Sequence, residues 1–391
     1  MVNEKMIYNN LIHNKNIINT FSSYIKNDNL PHAIIFHGSK GVGKFSHAIE
    51  LCNMLLSENA DLNVVEKKIR NNQHENINYI LPLPKSKSIS KNDSALNAVS
   101  KSDLEHIQSE IKHKLTNPYH KISIKKANTI LVNSIRDLKK KISLSNFNDK
   151  WNIHMILEAE KLCFPRTESA NALLKILEEP NEKNLFILIT TNISNILETI
   201  TSRCSKIYFP KLNQKDIMHL VVNEYNLDED KAKMISNLCN GNATSANKIA
   251  GEFESYIKKI NLLINLIFSY DLNKWQQIFS KLKDTNEIIF LLDLLNIYFN
   301  DIIIFKEIQK KEKLKFSYLT NQIIECSKKY NTTQLNQIIN KINDTKKNFT
   351  KNIYFPLLMT TLYLEINQIL INNSKEQMDY TNENKLYSIN E

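Results

Sequence analysis

The sequence predicts an α/β protein with a parallel β-sheet in its first half and helices alone in its second half. Short apolar runs alternate with helical patterns over residues 1–205, which is typical of a parallel sheet covered on both faces. After residue 210 these runs fade, and helical periodicity continues to residue 372. Three of the five glycines also lie within six residues, directly after the first apolar run. The end of that first strand is therefore expected to carry a loop of unusual backbone geometry.

The elements follow from the apolar patterns in chain order. The first 30 residues predict one or two helices. Uninterrupted apolar residues predict buried strands at 33–37, 153–157 and 185–189. Helical spacing predicts helices at 45–57, 104–115, 129–141 and 167–179, the last capped by Thr167 and ended by Pro180. Residues 81–128 read as an insertion that opens with a lysine- and serine-rich loop, and 212–250 as a small helical bundle.

The glycine-rich loop carries the most informative motif. Residues 38–44 read GSKGVGK, which matches the phosphate-binding pattern G-x-x-x-x-G-K after a strand and before a helix. The backbone N–H groups of such a loop wrap the phosphates, and its lysine reaches the outer ones. Gly38, Gly41, Gly43 and Lys44 are therefore predicted to form a nucleotide-binding loop.

The residue after this lysine departs from the pattern. A serine or threonine is expected there, because its hydroxyl holds Mg²⁺, and this chain has Phe45. Ser46 comes one position later, which turns it by roughly 100° around the helix and away from the phosphate side. The phosphate cradle is therefore expected without its metal ligand, and the site is predicted to need no metal.

A second acidic motif also departs from the pattern of an ATPase. The apolar run at 153–157 ends in Glu158, in the position of the acid that orients magnesium. Ala159 stands where a second acid would polarise the attacking water, and Glu160 is predicted to point elsewhere. Two parts required for Mg²⁺-assisted hydrolysis are thus altered.

Arg203 is the remaining candidate for chemistry. It lies on a short polar turn in a chain whose basic residues are mostly lysine. Two interpretations stay open: a surface charge, or an arginine finger that reaches a neighbouring subunit's γ-phosphate and stabilises the transition state.

Length and composition limit the remaining possibilities. A chain of 391 residues predicts two or three domains. The formal charge of +10 is compatible with a nucleic-acid partner, although a basic surface also follows from the Asn-, Ile- and Lys-rich composition. Five scattered cysteines predict neither a disulfide framework nor a cysteine zinc site and suit a reducing cytoplasm. Without 18 consecutive apolar residues, no membrane span is expected.

Three segments together resemble one family. NALLK at 171–175 with EEP at 178–180, and SRC at 202–204, lie behind the P-loop as in the bacterial clamp-loader subunits, the AAA+ proteins of the DNA polymerase III holoenzyme. The resemblance extends to LPHA at 30–33 and IRDL at 135–138, and it covers roughly residues 7–250. Within the family, gamma/tau is the ATPase, with an intact Ser or Thr, an Asp-Glu pair and a four-cysteine zinc module. Phe45 and Ala159 resemble the delta prime subunits, whose nucleotide site is commonly degraded.

The resemblance implies a layout, a set of partners and roles for residues. It implies an AAA+ domain at 1–208, a helical lid at 209–254, a helical collar at 255–372 that joins subunits in a ring, and a frayed polar tail at 373–391. Arg203 would be the finger, and Thr190, Thr191 and Asn192 the sensor 1 region. The lid segment 241–246 lacks the arginine that senses nucleotide in many relatives. The implied partners are gamma/tau and delta and, through the complex, the sliding clamp and primed DNA.

The sequence therefore predicts a cytoplasmic, non-hydrolysing subunit that needs no cofactor and binds ATP at most weakly. Alternatives stay open. The chain could be an active gamma/tau-like ATPase, if Ser46 or Glu158 serves magnesium. It could be an interaction module in which Arg203 is inert. A P-loop kinase would need a cluster of Arg or His for its substrate, and the sequence offers none. Lysines of helix 129–141 either touch DNA phosphates or form a solvated face.

Overall fold

The computed structural model of the chain describes residues 6–58, 60–144, 150–282, 284–349 and 354–387. Within these residues lies a parallel sheet of five strands in the order β2-β3-β4-β1-β5. The strands are β1 (Ala33–Gly38), β2 (Ile77–Ile80), β3 (Asn152–Leu157), β4 (Asn184–Thr190) and β5 (Ser205–Phe209). Three of them were predicted; the edge strands β2 and β5 were missed, because each is short and neither is a continuous apolar run.

Both faces of the sheet are buried, as the apolar runs predicted. In β1, Ile34 and Phe36 join the core cluster on one face, whereas Ala33 and Ile35 join the cluster on the other. Successive side chains of a strand point to opposite faces, so a strand covered on both sides must be apolar throughout. This explains why the central strands are readable from the sequence.

Helices cover the two faces of the sheet and continue beyond it. The helices in and around the sheet are α1 (Lys15–Lys26), α2 (Lys44–Leu56), α3 (Leu62–Arg70), α4 (Lys101–Thr116), α5 (Val132–Leu144), α6 (Glu168–Glu178), α7 (Glu198–Thr201) and α8 (Gln214–Tyr225). Thr167 occupies the N-cap position of α6, but its side chain makes no capping hydrogen bond, so the predicted cap is wrong. Its backbone, at φ −87° and ψ 8°, departs from the extended conformation typical of a capping residue.

The insertion at 81–128 is folded onto the sheet domain. Its helix α4 spans Lys101–Thr116, close to the predicted 104–115, and buries Ile107, Ile111 and Leu115 in the core. The Oδ2 atom of Asp137 accepts hydrogen bonds from the Ser94 hydroxyl and the Ala95 N–H, both at 2.8 Å. The insertion is therefore tied to helix α5 by specific polar contacts as well as by apolar packing.

The chain divides into two compact units, Met1–Asn226 with Cys239–Asn247, and Leu227–Leu238 with Lys248–Glu391. The helices that follow α8 are α9 (Glu229–Cys239), α10 (Ala243–Gly251), α11 (Phe253–Ser269), α12 (Leu272–Lys281), α13 (Thr285–Ile308), α14 (Thr320–Lys329), α15 (Thr332–Asn348) and α16 (Phe355–Tyr387). The helical second half is thus confirmed. The three-domain division, with boundaries near 208 and 254, stays a prediction.

The second unit is organised around a buried tryptophan. The indole N–H of Trp275 donates to the Met359 carbonyl at 2.9 Å, and its ring lies 5.0 Å from that of Tyr363. The Tyr363 hydroxyl in turn donates to the Leu266 carbonyl at 3.1 Å. Each polar tip of this aromatic cluster has a partner, so burial costs no hydrogen bond.

Helices α13 and α16 bear on two expectations about the second half of the chain. The stretch Glu287–Ile308 of α13 has a mean hydropathy of 2.0 and could cross a membrane by length and composition, although Asp293 and Asn296 interrupt its apolar run. Of that window 56% is buried inside the protein, as in a core helix. Helix α16 continues as far as Tyr387, past residue 373 where a frayed polar tail was predicted, and residues 372–387 contain neither Gly nor Pro to stop it.

Candidate functional site

The glycines of residues 38–44 adopt the backbone conformation that the motif requires. Gly38, Gly41 and Gly43 have φ angles of 142°, 70° and 84°, a region that side chains rarely permit. A Cβ atom on Gly38 would lie 2.1 Å from the carbonyl oxygen of Phe209 on the neighbouring strand β5. The loop therefore has the unusual backbone geometry predicted for the carboxyl end of β1. Its role in phosphate binding stays a prediction.

The segment before helix α10 closes on this loop. The N–H of Ala243 donates to the Gly41 carbonyl at 3.0 Å. A Cβ atom on Gly41 would lie 1.7 Å from Oδ1 of Asn242, and that oxygen caps α10 by accepting from the Ser245 N–H. The segment 241–246, which contains no arginine, thus contacts the P-loop with an asparagine and a backbone amide.

Lys44 is bound to its own loop. Its Nζ atom donates to the carbonyls of Gly38 and Ser39 at 2.7 and 2.6 Å, and the residue is 7% exposed. Burial lowers the pKa of Lys44 to about 8; the carboxylate of Glu160 opposes this shift and the Lys40 charge adds to it. A phosphate that enters the cradle would have to replace these two carbonyls as the partner of the ammonium group.

His47 supports the loop from helix α2. Its Nε2 atom accepts from the Asn14 N–H at 3.1 Å, so Nδ1 carries the proton that is donated to the Gly43 carbonyl at 2.9 Å. Burial lowers the pKa of His47 to about 4. The neutral ring therefore fixes the backbone of the P-loop at its last glycine.

Phe45 is part of the hydrophobic core. It is 7% exposed and stacks on Tyr79 with ring centroids 6.0 Å apart, and the Nζ atom of Lys114 lies 5.7 Å from its ring centre. The fully buried Ser46 donates its hydroxyl to the Pro118 carbonyl at 2.7 Å. The position at which a magnesium ligand is expected is thus occupied by an aromatic core residue. The next hydroxyl along the chain, that of Ser46, is hydrogen-bonded to Pro118 of the insertion. These residues do not fit Mg²⁺.

The acidic motif is arranged differently from the sequence prediction. The Oε2 atom of Glu158 pairs with Lys161 at 2.9 Å, and its side chain is 53% exposed. Glu160, which was expected to point elsewhere, accepts hydrogen bonds from the hydroxyls of Thr190 and Thr191 at 2.6 and 3.1 Å and acts on the charge of Lys44. The reason is a left-handed turn at Glu158, with φ 49°, which starts a short 3₁₀ helix and redirects the chain.

The predicted sensor 1 residues lie at the end of β4. Thr190 is 1% exposed and its hydroxyl oxygen accepts the N–H of Asn192 at 3.0 Å. Together with Thr191 it connects this strand to Glu160. Hydrogen bonds therefore join the two threonines of the predicted sensor 1 region to Glu160, whose charge acts on Lys44, whereas Glu158 pairs with Lys161.

Arg203 lies on the turn between α7 and β5, on the surface of the sheet domain. Its guanidinium donates to the Thr199 carbonyl at 2.9 Å and to Oε1 of Glu178 at 3.0 Å. The side chain is 37% exposed and that of Glu178 is 49% exposed. The following Cys204 is buried, and burial raises the pKa of its thiol to about 12. The arginine is thus held at the surface by an ion pair that water reaches.

The sequence alone missed three partners of the site. Glu160 was excluded by its spacing, and no local signal placed Asn242 near Gly41. Glu178 lies at the end of helix α6, and nothing in the sequence marks it as the partner of Arg203. Each contact joins segments at least 25 residues apart in sequence, so only the sheet order brings these residues together.

The P-loop follows strand β1, which lies between β4 and the edge strand β5 in the parallel sheet. This arrangement defines a AAA+-type P-loop domain. The family model described as DNA polymerase III, delta subunit, matches residues 13–213, which is more than half of the chain. The chain belongs to this family, as the sequence motifs predicted.

Several known proteins are similar to this chain. The DNA polymerase III subunit delta' of Bacillus subtilis (strain 168) is 23% identical over 358 residues, which cover 88% of this chain and 93% of that protein. The delta' subunit of Buchnera aphidicola (subsp. Schizaphis graminum) is 30% identical over 57% of this chain and 66% of its own length. A solved gamma subunit-related protein of Thermotoga maritima is 14% identical, with a TM-score of 0.43 over 90% of this chain and 99% of that chain.

Proposed function

We propose that this chain is a delta prime-like subunit of the bacterial replicative clamp loader that does not hydrolyse ATP. In this proposal it assembles with gamma/tau and delta subunits and helps to load the sliding clamp onto primed DNA. It supplies Arg203 to the ATP site of a neighbouring ATPase subunit. The similarity to delta' subunits supports the assignment to the clamp loader. The altered nucleotide site supports a role in which this chain does not hydrolyse ATP and a neighbouring subunit does.

The observation that carries this proposal is the packing of Phe45. Hydrolysis in P-loop enzymes depends on a metal ion that bridges the phosphates and neutralises the developing charge. Here the metal-ligand position is an aromatic ring packed on Tyr79, and the Ser46 hydroxyl is bonded to Pro118. A nucleotide in this cradle would lack its metal, so we expect at most weak binding of ATP and no turnover.

The hydrogen bonds of Lys44 support the same conclusion. Its ammonium group is already paired with two carbonyls of its own loop, and the N–H of Ala243 is bonded to Gly41. ATP would have to break these contacts before gaining any new ones, and that exchange reduces its net affinity. The site is therefore proposed to be a structural remnant that needs no cofactor.

The setting of Arg203 suits a finger that acts in trans. A finger must be held near the surface and yet be free to move onto a γ-phosphate. The pair with Glu178 is half exposed, and such pairs are worth about 0–1 kcal/mol, so an incoming triphosphate can displace the carboxylate. The planar guanidinium then offers two parallel N–H donors, which a lysine cannot.

An exposed apolar stripe in the helical unit supports assembly with other subunits. Leu357, Leu364 and Ile371 are 61%, 52% and 41% exposed and follow one another at seven-residue spacing on helix α16. Residues at this spacing share one face of a helix, and an exposed apolar face of this kind marks an interaction surface. We propose that it packs against a neighbouring subunit of the hetero-oligomer.

The finger is tested in a clamp loader reconstituted from purified subunits. We expect Arg203→Ala to leave assembly intact and to slow the DNA-stimulated ATPase of its neighbour on the order of 10³-fold. Arg203→Lys should recover little, because the fork geometry is lost. Arg166→Ala is the matched control, since this arginine is 81% exposed and contacts Glu168 only at 3.7 Å. Equal turnover for Arg203→Ala and Arg166→Ala means that the chain is an interaction module without a finger.

A second candidate, an active gamma/tau-like ATPase, is favoured by one observation. The Thr190 hydroxyl donates to Glu160, and the Glu160 charge favours the charged form of Lys44, as expected of an acid near a P-loop lysine in an active site. Calorimetric titration with Mg-ATP, followed by an ATPase assay on the same sample, separates the two proposals. Binding that is absent or indifferent to Mg²⁺ supports the non-hydrolysing role. Tight Mg²⁺-dependent binding, with turnover abolished by Lys44→Ala, supports the ATPase.

A further inference from the structure

The insertion contains a cluster of potential metal ligands that the proposed function does not use. Glu110 and His113 lie three residues apart on helix α4, so both side chains project from the same face. The helix ends before the turn at Asn117 and Pro118, and the returning chain brings His120 to that face. Two imidazoles and one carboxylate thus meet at one place, although no local sequence signal predicted a metal site.

The three side chains are close enough to share one ion. The Nε2 atom of His120 lies 3.2 Å from Oε2 of Glu110, and the ring centroids of His113 and His120 are 5.5 Å apart. One ligand atom from each residue lies within 4.8 Å of the other two. Zn²⁺ binds imidazole nitrogen and carboxylate oxygen at about 2.0–2.2 Å, so tetrahedral ligands are roughly 3.3–3.5 Å apart. The Glu110–His120 pair already has nearly this spacing, and His113 is exposed, so its side chain has room to move towards the other two.

The surroundings hold two of the ligands in place. The N–H of Ser123 donates to Oε2 of Glu110 at 2.7 Å, which orients the carboxylate as supporting hydrogen bonds do in metal sites. Leu115 and Tyr119 are buried on either side of the turn, and the Tyr119 hydroxyl accepts the Ile12 N–H at 2.7 Å. The helix and the returning segment are therefore both fixed to the core, and the ligand set is largely formed in advance.

We propose that Glu110, His113 and His120 bind one divalent transition-metal ion of the Zn²⁺ class. Nitrogen and oxygen ligands of this kind suit Zn²⁺, Co²⁺ and related ions better than Mg²⁺, which prefers oxygen alone. Three protein ligands leave a fourth position for water on the exposed side of His113. The ion would clip the end of α4 to the segment after Pro118. This site contains no cysteine and is independent of the proposed role in clamp loading.

Metal binding is tested directly on the full-length chain, with any affinity tag removed and metals stripped by a chelator. We expect Zn²⁺ to bind with one equivalent per chain in competition with a chromophoric chelator. We also expect Co²⁺ to give the visible absorption of a tetrahedral nitrogen and oxygen site. The thermal unfolding temperature should rise when Zn²⁺ is added. These readouts do not depend on ATPase activity or on the other subunits.

Variants decide whether these three residues are the ligands. His113→Gln and His120→Gln should each weaken Zn²⁺ binding at least 10-fold and remove the rise in unfolding temperature. His219→Gln, at an exposed histidine outside the insertion, is the matched control and should bind like the natural chain. Because His113 is exposed, its substitution should leave the metal-free unfolding temperature unchanged, which separates loss of a ligand from loss of folding. Binding that is equal in all three variants, or absent from the natural chain, overturns the proposal.

Discussion

Replacing Phe45 by alanine tests whether the residue at the position of the magnesium ligand stabilises the fold. The ring is 7% exposed in the core cluster around α2 and stacks on Tyr79. An aromatic side chain buries about 150–200 Å² of apolar surface, which at about 25 cal/mol per Å² is worth roughly 4–5 kcal/mol. Measured Phe→Ala losses in cores of about 3–5 kcal/mol agree with this value. We therefore expect the free energy of unfolding of the sheet unit to fall by about 3–5 kcal/mol.

Native-state hydrogen exchange read by mass spectrometry measures this loss. The most protected amides of strands β1 and β4 should exchange roughly 10²–10⁴-fold faster in Phe45→Ala, because each 1.4 kcal/mol is a factor of ten. Peptides around Trp275 in the helical unit serve as the internal reference and should not change. Phe164→Ala, at a ring that is 61% exposed, is the matched control and should cost less than about 0.5 kcal/mol. A loss below about 1 kcal/mol for Phe45→Ala would mean that the Phe45 ring does not stabilise the core of the sheet unit.

Three further predictions follow from the contacts of the site. The pKa of His47 is lowered to about 4 from an ordinary value of 6.5, so the unfolded chain takes up a proton that the folded chain excludes. The free energy of unfolding, measured in urea, should therefore fall as the pH drops from about 6.5 towards 4. For His47→Gln this dependence on pH should be shallower. Gly41→Ala should lower the free energy of unfolding by more than about 1 kcal/mol, because residue 41 has a positive φ and the new Cβ atom would collide with Asn242. In a double-mutant cycle, Asn242→Ala should remove the collision but not the strain of the positive φ. Glu178→Ala should change the stability by less than about 1 kcal/mol and leave the ATPase of the reconstituted complex within about twofold, because the pair with Arg203 is half exposed.

The P-loop is the part of the molecule that is most readable from the sequence. Its conformation could be predicted because glycine is needed wherever φ is positive, and Gly38, Gly41 and Gly43 all have positive φ. The central strands could be predicted because both of their faces are buried, which demands continuous apolar residues. The absence of a side-chain hydroxyl for Mg²⁺ was also readable, since it depends on the single residue that follows Lys44.

The tertiary structure decided which side chains meet at that loop. The position of Glu160, two residues beyond Glu158, predicted that its side chain points away from the site. A left-handed turn at Glu158 instead brings Glu160 to Thr190, where its charge acts on Lys44. The cluster of Glu110, His113 and His120 arises from a helix and a returning segment, and no pairwise spacing rule covers that arrangement.

The fold class, the glycine-rich loop and the absence of a hydroxyl after Lys44 can be read from the sequence, because these depend on local backbone preferences and on burial along each strand. The packing of Phe45 on Tyr79, the approach of Asn242 to Gly41 and the pairing of Glu178 with Arg203 become visible only in the folded chain. The physical reason is that contacts between distant segments depend on strand order and on the path of each loop, and these are fixed by packing of the whole domain.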